Sequence, residues 1–118
     1  MLETGPVGKV RNACKRCKIG LEMLVHIVCW KYTPETTPAQ REEHIARLRV
    51  LPNIIPNIVS FEVGADVLHL ERSFDTGLVV KYPDRADLDL YTDHPEHQKV
   101  AALGKEIADK VVSVDFFV

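Results

Sequence analysis

The chain has 118 residues, 46% hydrophobic and 27% charged, the make-up of one ordinary globular domain and not of a disordered segment. Its net charge of −2 divides unevenly: residues 1–22 hold five basic and two acidic side chains, residues 23–118 ten basic and fifteen acidic. An acidic body without a basic stripe argues against nucleic acid as a partner, and no apolar run approaches the ~20 residues of a membrane span.

Residues 1–22 show neither strand alternation nor a helical stripe, and Gly5, Pro6, Gly8 and Gly20 interrupt them. They read as a flexible tail, with the domain proper over 23–118. Cys14 and Cys17 form a single C-x-x-C pair with no second pair beside it, too little for a zinc site. With Cys29 they make an odd, sparse set that suits a reducing compartment, the cytoplasm, better than a disulfide scaffold.

From Leu24 to Tyr32 the run LVHIVCWKY is rich in β-branched and aromatic residues, and alternation places Leu24, His26, Val28, Trp30 and Tyr32 on one face of a strand. Thr37, Pro38 and Gln40 then supply an N-cap, a favoured first helical residue and a capping-box partner. The helix they open carries Ile45, Leu48 and Leu51 as its apolar stripe, and Pro52 is expected to end it. A second strand follows within IVSFEVGAD, with Val59, Phe61 and Val63 on one side and a bulge expected at Gly64. After a polar loop, Phe74 to Tyr82 forms a third strand, so these two make a hairpin.

Asp84 caps a short helix that projects Leu88 and Tyr91 from one face. Pro95 suits the first position of another helix, running to about Asp109 with Val100, Leu103, Gly104, Ile107 and Ala108 inward. VVSVDFFV closes the chain as a fourth strand. Two crossovers and a hairpin then give an α+β, ferredoxin-like protomer, with four antiparallel strands and the helices on one face. Nothing in this chain covers the other face. A domain of this size gains by sealing such a face, so a homodimer through the exposed sheet, a dimeric α+β barrel, is expected.

Four blocks, HIVCWKY at 26–32, IIPNIVSFEVGAD at 54–66, LYTDHPEH at 90–97 and VVSVDFFV at 111–118, resemble the stress-responsive A/B barrel (Dabb) family in order and spacing, from Met23 to Val118. The resemblance implies the dimeric barrel just described. It also implies a link to polyketide cyclases of the olivetolic acid cyclase type, in which a tyrosine and a histidine of the third block serve as catalytic groups. They correspond to Tyr91 and His97. Other pocket positions carried over are His26, Val28 and Trp30, His44, Ile45 and Leu48, and Leu78, with His94 beside them. Those enzymes carry aromatic pocket residues where this chain has His44, Ile45 and Leu48, so the cavity and the substrate differ.

At the third helical position, His97 feels the helix N-terminus, which disfavours the imidazolium and leaves a neutral base near pH 7. With Tyr91 holding a carbonyl or enolate oxygen, the pair suits proton abstraction beside a carbonyl without a cofactor. In the competing reading His94 and His97 cap the helix and Tyr91 packs its ring. His26 reads equally as a satisfied core residue, while His44 and His69 read as surface residues on composition alone. The spacing of His26, His94 and His97 matches no metal-ligand pattern. Three functions remain: a cofactor-free enzyme on a small carbonyl or polyketide-like compound, marked by a cavity touching Tyr91 and His97; a non-catalytic structural or small-molecule-binding protein, marked by Trp30 and Leu48 filling that space; or a module that offers the exposed sheet to a different protein, which a stable homodimer would exclude.

Overall fold

The computed structural model describes residues 22–118; the expectations for the tail and for Cys14 and Cys17 lie outside them. The elements are β1 (Leu24–Tyr32), α1 (Pro38–Ile54), β2 (Ser60–Ala65), β3 (Thr76–Tyr82), α2 (Arg85–Asp93), α3 (Pro95–Ile107) and β4 (Ala108–Phe117). The strands form one antiparallel sheet in the order β2-β3-β1-β4, and the helices lie on one face of it. This is the ferredoxin-like α+β fold.

Local chemistry sets most boundaries. The Thr37 hydroxyl accepts from the Gln40 amide at 3.2 Å while Gln40 Oε1 accepts from the Thr37 amide at 2.8 Å, a complete capping box. Pro52 does not end α1. Its missing N–H falls in the last turn, and the helix continues to Ile54 and closes with the Ile55 amide donating to Leu51 at 2.9 Å. No bulge occurs at Gly64, which pairs with Gly77 in an unbroken β2–β3 register. The irregularity lies instead between Lys31 and Tyr32, where β1 meets β4. There α3 ends at Ile107 and Ala108 is already extended, so β4 begins three residues before the expected Val111. The third strand starts at Thr76, two residues after the expected Phe74, and just before it the Asp75 carboxylate accepts from the Tyr32 amide at 2.9 Å.

The core fills the space between sheet and helices, from Leu24, Val28, Trp30 and Tyr32 of β1 and Leu78, Val80 and Tyr82 of β3 to Leu48, Leu51, Leu88, Tyr91, Val100 and Ile107 of the helices. From β2, Phe61 and Val63 pack against it, whereas Val59, read as their companion, precedes the strand and is exposed. The opposite face follows from the registers. Val79, Ile27 and Val114 form one row across β3, β1 and β4, with Val25 and Phe116, then Cys29 and Val112, in the flanking rows. Val112, Val114 and Phe116 are each more than 40% exposed, and among the described residues no helix lies on this side.

Candidate functional site

A cavity of about 230 Å³ lies on the helix side, between β1 and the α3–β4 corner. Strand β1 contributes His26, Val28 and Trp30, with Leu78 beside them on β3 and Leu48 from α1 above. Tyr91, Thr92 and His97 close one end where α2 passes into α3, and Ala101, Lys105, Val111 and Ser113 form the other side. The space exists because β4 lies at the sheet edge, and its inward residues Val111 and Ser113 stay exposed where no helix packs on them.

At the closed end, the rings of Tyr91 and His97 lie 4.3 Å apart, centroid to centroid. His97 Nδ1–H donates to the Thr92 carbonyl at 3.1 Å, which leaves Nε2 with a free lone pair. Burial holds the His97 pKa below its ordinary value; the Thr92 carbonyl opposes this, while neighbouring His26 and His94 add to the depression. The imidazole is therefore neutral at pH 7. Tyr91 is buried, its hydroxyl finds no protein partner, and burial pushes its pKa upward, so it remains a phenol with a proton to donate. Tyr82, 5.5 Å from Tyr91 between ring centroids, also has an unpartnered hydroxyl raised by burial.

His26 stands at the same end, 6.3 Å from the Tyr91 ring, with its Nδ1 directly against the Asp115 carboxylate. The register makes this pair: His26 faces Asp115 as Val28 faces Ser113 and Trp30 faces Val111. Period-two alternation along VVSVDFFV already places Ser113 and Asp115 with Val111 on one face, yet the sequence reading passed over both, together with Thr92 and Lys105.

Three residues carried into the pocket lie elsewhere. His44 is fully buried in the core, neither on the surface nor on the cavity wall. The Tyr32 hydroxyl donates to Thr76 Oγ1 at 2.8 Å, so His44 Nδ1–H donates to Tyr32, also at 2.8 Å. Nε2 then faces Gly104 of α3 with no partner. Its burial depresses the His44 pKa to about 4. Ile45, one step round the helix, is half-buried and away from the cavity wall, because α1 turns His44, Leu48 and Leu51 inward. His94 is the N-cap of α3: its Nδ1 accepts from the Glu96 amide at 3.1 Å and it does not line the cavity.

The chain matches the model of the stress responsive A/B barrel domain over residues 24–118. It is similar to a dimeric ferredoxin-like protein of unknown function from Thermobifida fusca, with 27% identity and a TM-score of 0.76 over 82% of this chain and 92% of that one. Another, a dimeric ferredoxin-like protein of unknown function from Jannaschia sp., is 26% identical with a TM-score of 0.69, covering 80% of this chain and 97% of that one. Hydroxynitrile lyase from Passiflora edulis has a TM-score of 0.74 over 81% and 93% of the two chains; at 20% identity that likeness concerns the fold alone. No curated protein matches. With the family pattern spanning every element from β1 to β4, the chain belongs to the stress-responsive A/B barrel domain family.

Proposed function

We propose that this protein is a cofactor-free enzyme acting on a small carbonyl compound, with Tyr91 and His97 as its catalytic groups. The observation that carries the reading is the pairing, at one end of a cavity, of a neutral imidazole whose Nε2 is free with a buried phenol whose hydroxyl has no protein partner. A buried hydroxyl without a partner costs roughly 1–3 kcal/mol of stability, a cost recovered when a ligand oxygen accepts its proton. His97 Nε2 removes a proton from the carbon beside the carbonyl, and the electron pair moves to the oxygen, where Tyr91 donates to the developing enolate. The enolate carbon then attacks a second carbonyl to close a ring, the C=O π bond opening to an alkoxide that takes the proton from His97, or the carbon itself is reprotonated by His97 to complete an isomerisation. His26, held by Asp115, offers a further polar group at that end.

Volume decides between substrate classes. About 230 Å³ falls below the ~300–1,000 Å³ of sites that take drug-sized molecules, which favours a compact ketone over an extended polyketide. The open space also favours ligand chemistry over the structural alternative, in which Trp30 and Leu48 would fill it. Exchange of the protons beside a ketone for deuterium, followed by NMR across a panel of small ketones, tests the reaction. His97→Ala is expected to lower the rate at least about 100-fold; a variant as fast as the parent overturns the proposal.

We further infer that two copies pair through the apolar rows on the outer face, as supported by that face and by the similarity to two proteins described as dimeric. A reducing cytoplasmic setting agrees with the free Cys29.

A further inference from the structure

The charge lining the cavity is the reverse of the charge on the body. Lys105 is the lysine of its wall, and none of its lining residues is a carboxylate, although residues 23–118 hold fifteen acidic against ten basic side chains. Asp115, whose carboxylate is engaged with His26, stays off this wall. Among the described residues, Lys105 joins no ion pair.

The position of Lys105 along the cavity is fixed by α3. His97, Ala101 and Lys105 recur every four residues on one helical face, and all three line the cavity. At 1.5 Å per residue, His97 and Lys105 are separated by about 12 Å along the helix, with only the small Ala101 between them. On the sheet, β1 runs the same length: His26 lies beside Tyr91, whereas the Trp30 indole nitrogen sits within 3.0 Å of where a Cβ on Gly104, the neighbour of Lys105, would stand. The cavity therefore has an acid–base end at Tyr91 and His97 and a cationic end at Trp30 and Lys105.

We propose that Lys105 selects the substrate class: the cavity takes a short oxo acid whose ketone lies at Tyr91 and His97 and whose carboxylate, several bonds away, meets the Lys105 ammonium group. This rests on the reading of the Tyr91–His97 end as the carbonyl site. The lysine side chain covers part of the 12 Å and a short carbon chain covers the rest. A space of about 230 Å³, roughly that of eight water molecules at ~30 Å³ each, admits such an acid.

The chain has one tryptophan, and it lines the cavity, so its fluorescence reports occupancy. The full chain is titrated at low salt and pH 7.5 with 5-oxohexanoate and, in parallel, with its uncharged amide of the same shape. The acid is expected to bind about fivefold to tenfold tighter than the amide, and 0.5 M NaCl to shrink that ratio. Lys105→Met, with a helix propensity close to that of lysine, is expected to bring the acid down to the level of the amide while leaving the amide unchanged; Lys105→Arg keeps the preference. Equal binding of acid and amide by the parent, or an undiminished ratio in Lys105→Met, overturns the assignment of Lys105 and leaves the carbonyl site standing. Failure of both compounds to perturb Trp30 overturns the carbonyl site as well.

Discussion

His44 offers a quantitative test of how the core is wired. Its Nδ1–H is engaged by Tyr32, and its Nε2 faces the Gly104 backbone without a partner, so protonation would set a charged N–H against α3 with nothing to accept it. The pKa accordingly falls from the ordinary 6.5 to about 4. In the unfolded chain the imidazole takes up a proton near pH 6.5, while the folded chain resists until about pH 4. Over that window the unfolded state binds more protons, so stability falls as pH falls. At 1.36 kcal/mol per pKa unit, the loss attributable to this one residue is about 3 kcal/mol, complete by pH 4. His97 is depressed in the same direction, so the measurement must be a difference. Urea unfolding of the parent and of His44→Asn, at fixed protein concentration between pH 7.5 and 4, isolates it. The variant starts lower, by a cavity cost of about 2 kcal/mol, but lacks the loss of about 3 kcal/mol, so its profile should meet that of the parent as pH falls and end about 1 kcal/mol above it by pH 4. Parallel pH profiles would refute the reasoning, since they would mean that His44 titrates alike in both states.

Other perturbations test the remaining contacts. Gly104→Ala places a Cβ 2.9 Å from His44 Nε2 and 3.0 Å from the Trp30 indole nitrogen; overpacking of ~1–3 kcal/mol should outweigh the ~1 kcal/mol gain in helix propensity, lowering the unfolding midpoint and shifting Trp30 emission. Tyr91→Phe removes an unpartnered buried hydroxyl, so its thermal midpoint should equal or exceed that of the parent while α-proton exchange drops at least about 100-fold. A marked loss of stability would show that the hydroxyl is satisfied within the protein. Val114→Arg, at the centre of the outer apolar rows, should convert a dimer into a monomer by light scattering and leave the helix-side core intact by circular dichroism. Thr37→Ala removes the reciprocal cap of α1 and should cost about 1 kcal/mol in urea unfolding.

The fold is legible in the sequence wherever periodicity and capping agree. LVHIVCWKY is rich in β-branched and aromatic residues, and its even-numbered residues do turn to the helices, although Val25 on the other face is buried as well. Thr37, Pro38 and Gln40 mark the start of α1 to the residue, as Asp84 and Pro95 mark the later helices. Ends are harder to read than starts. Pro52 blocks only one hydrogen bond, and in the last turn of α1 that loss is small beside the packing of Leu51 and Ile55. The passage from α3 to β4 carries no glycine or proline at all; what stops the helix is pairing with β1, a contact distant in sequence.

The site divides along the same line. Tyr91 and His97 can be found because they sit in a short block whose order matches a family pattern. His44 cannot be placed that way: composition reads it as polar and exposed, and a match by position puts it in a pocket, whereas its location depends on Tyr32, Thr76 and Gly104 converging on it from three other elements. Lys105 and Ser113 escape for a different reason. A lysine late in a helix and a serine in an apolar strand are unremarkable one at a time, and they become a cavity wall only because three helices cannot cover four strands. The uncovered strip is the inner face of β4. Where a fold leaves such a strip, the location of the cavity follows from topology and its selectivity from the few side chains that border it.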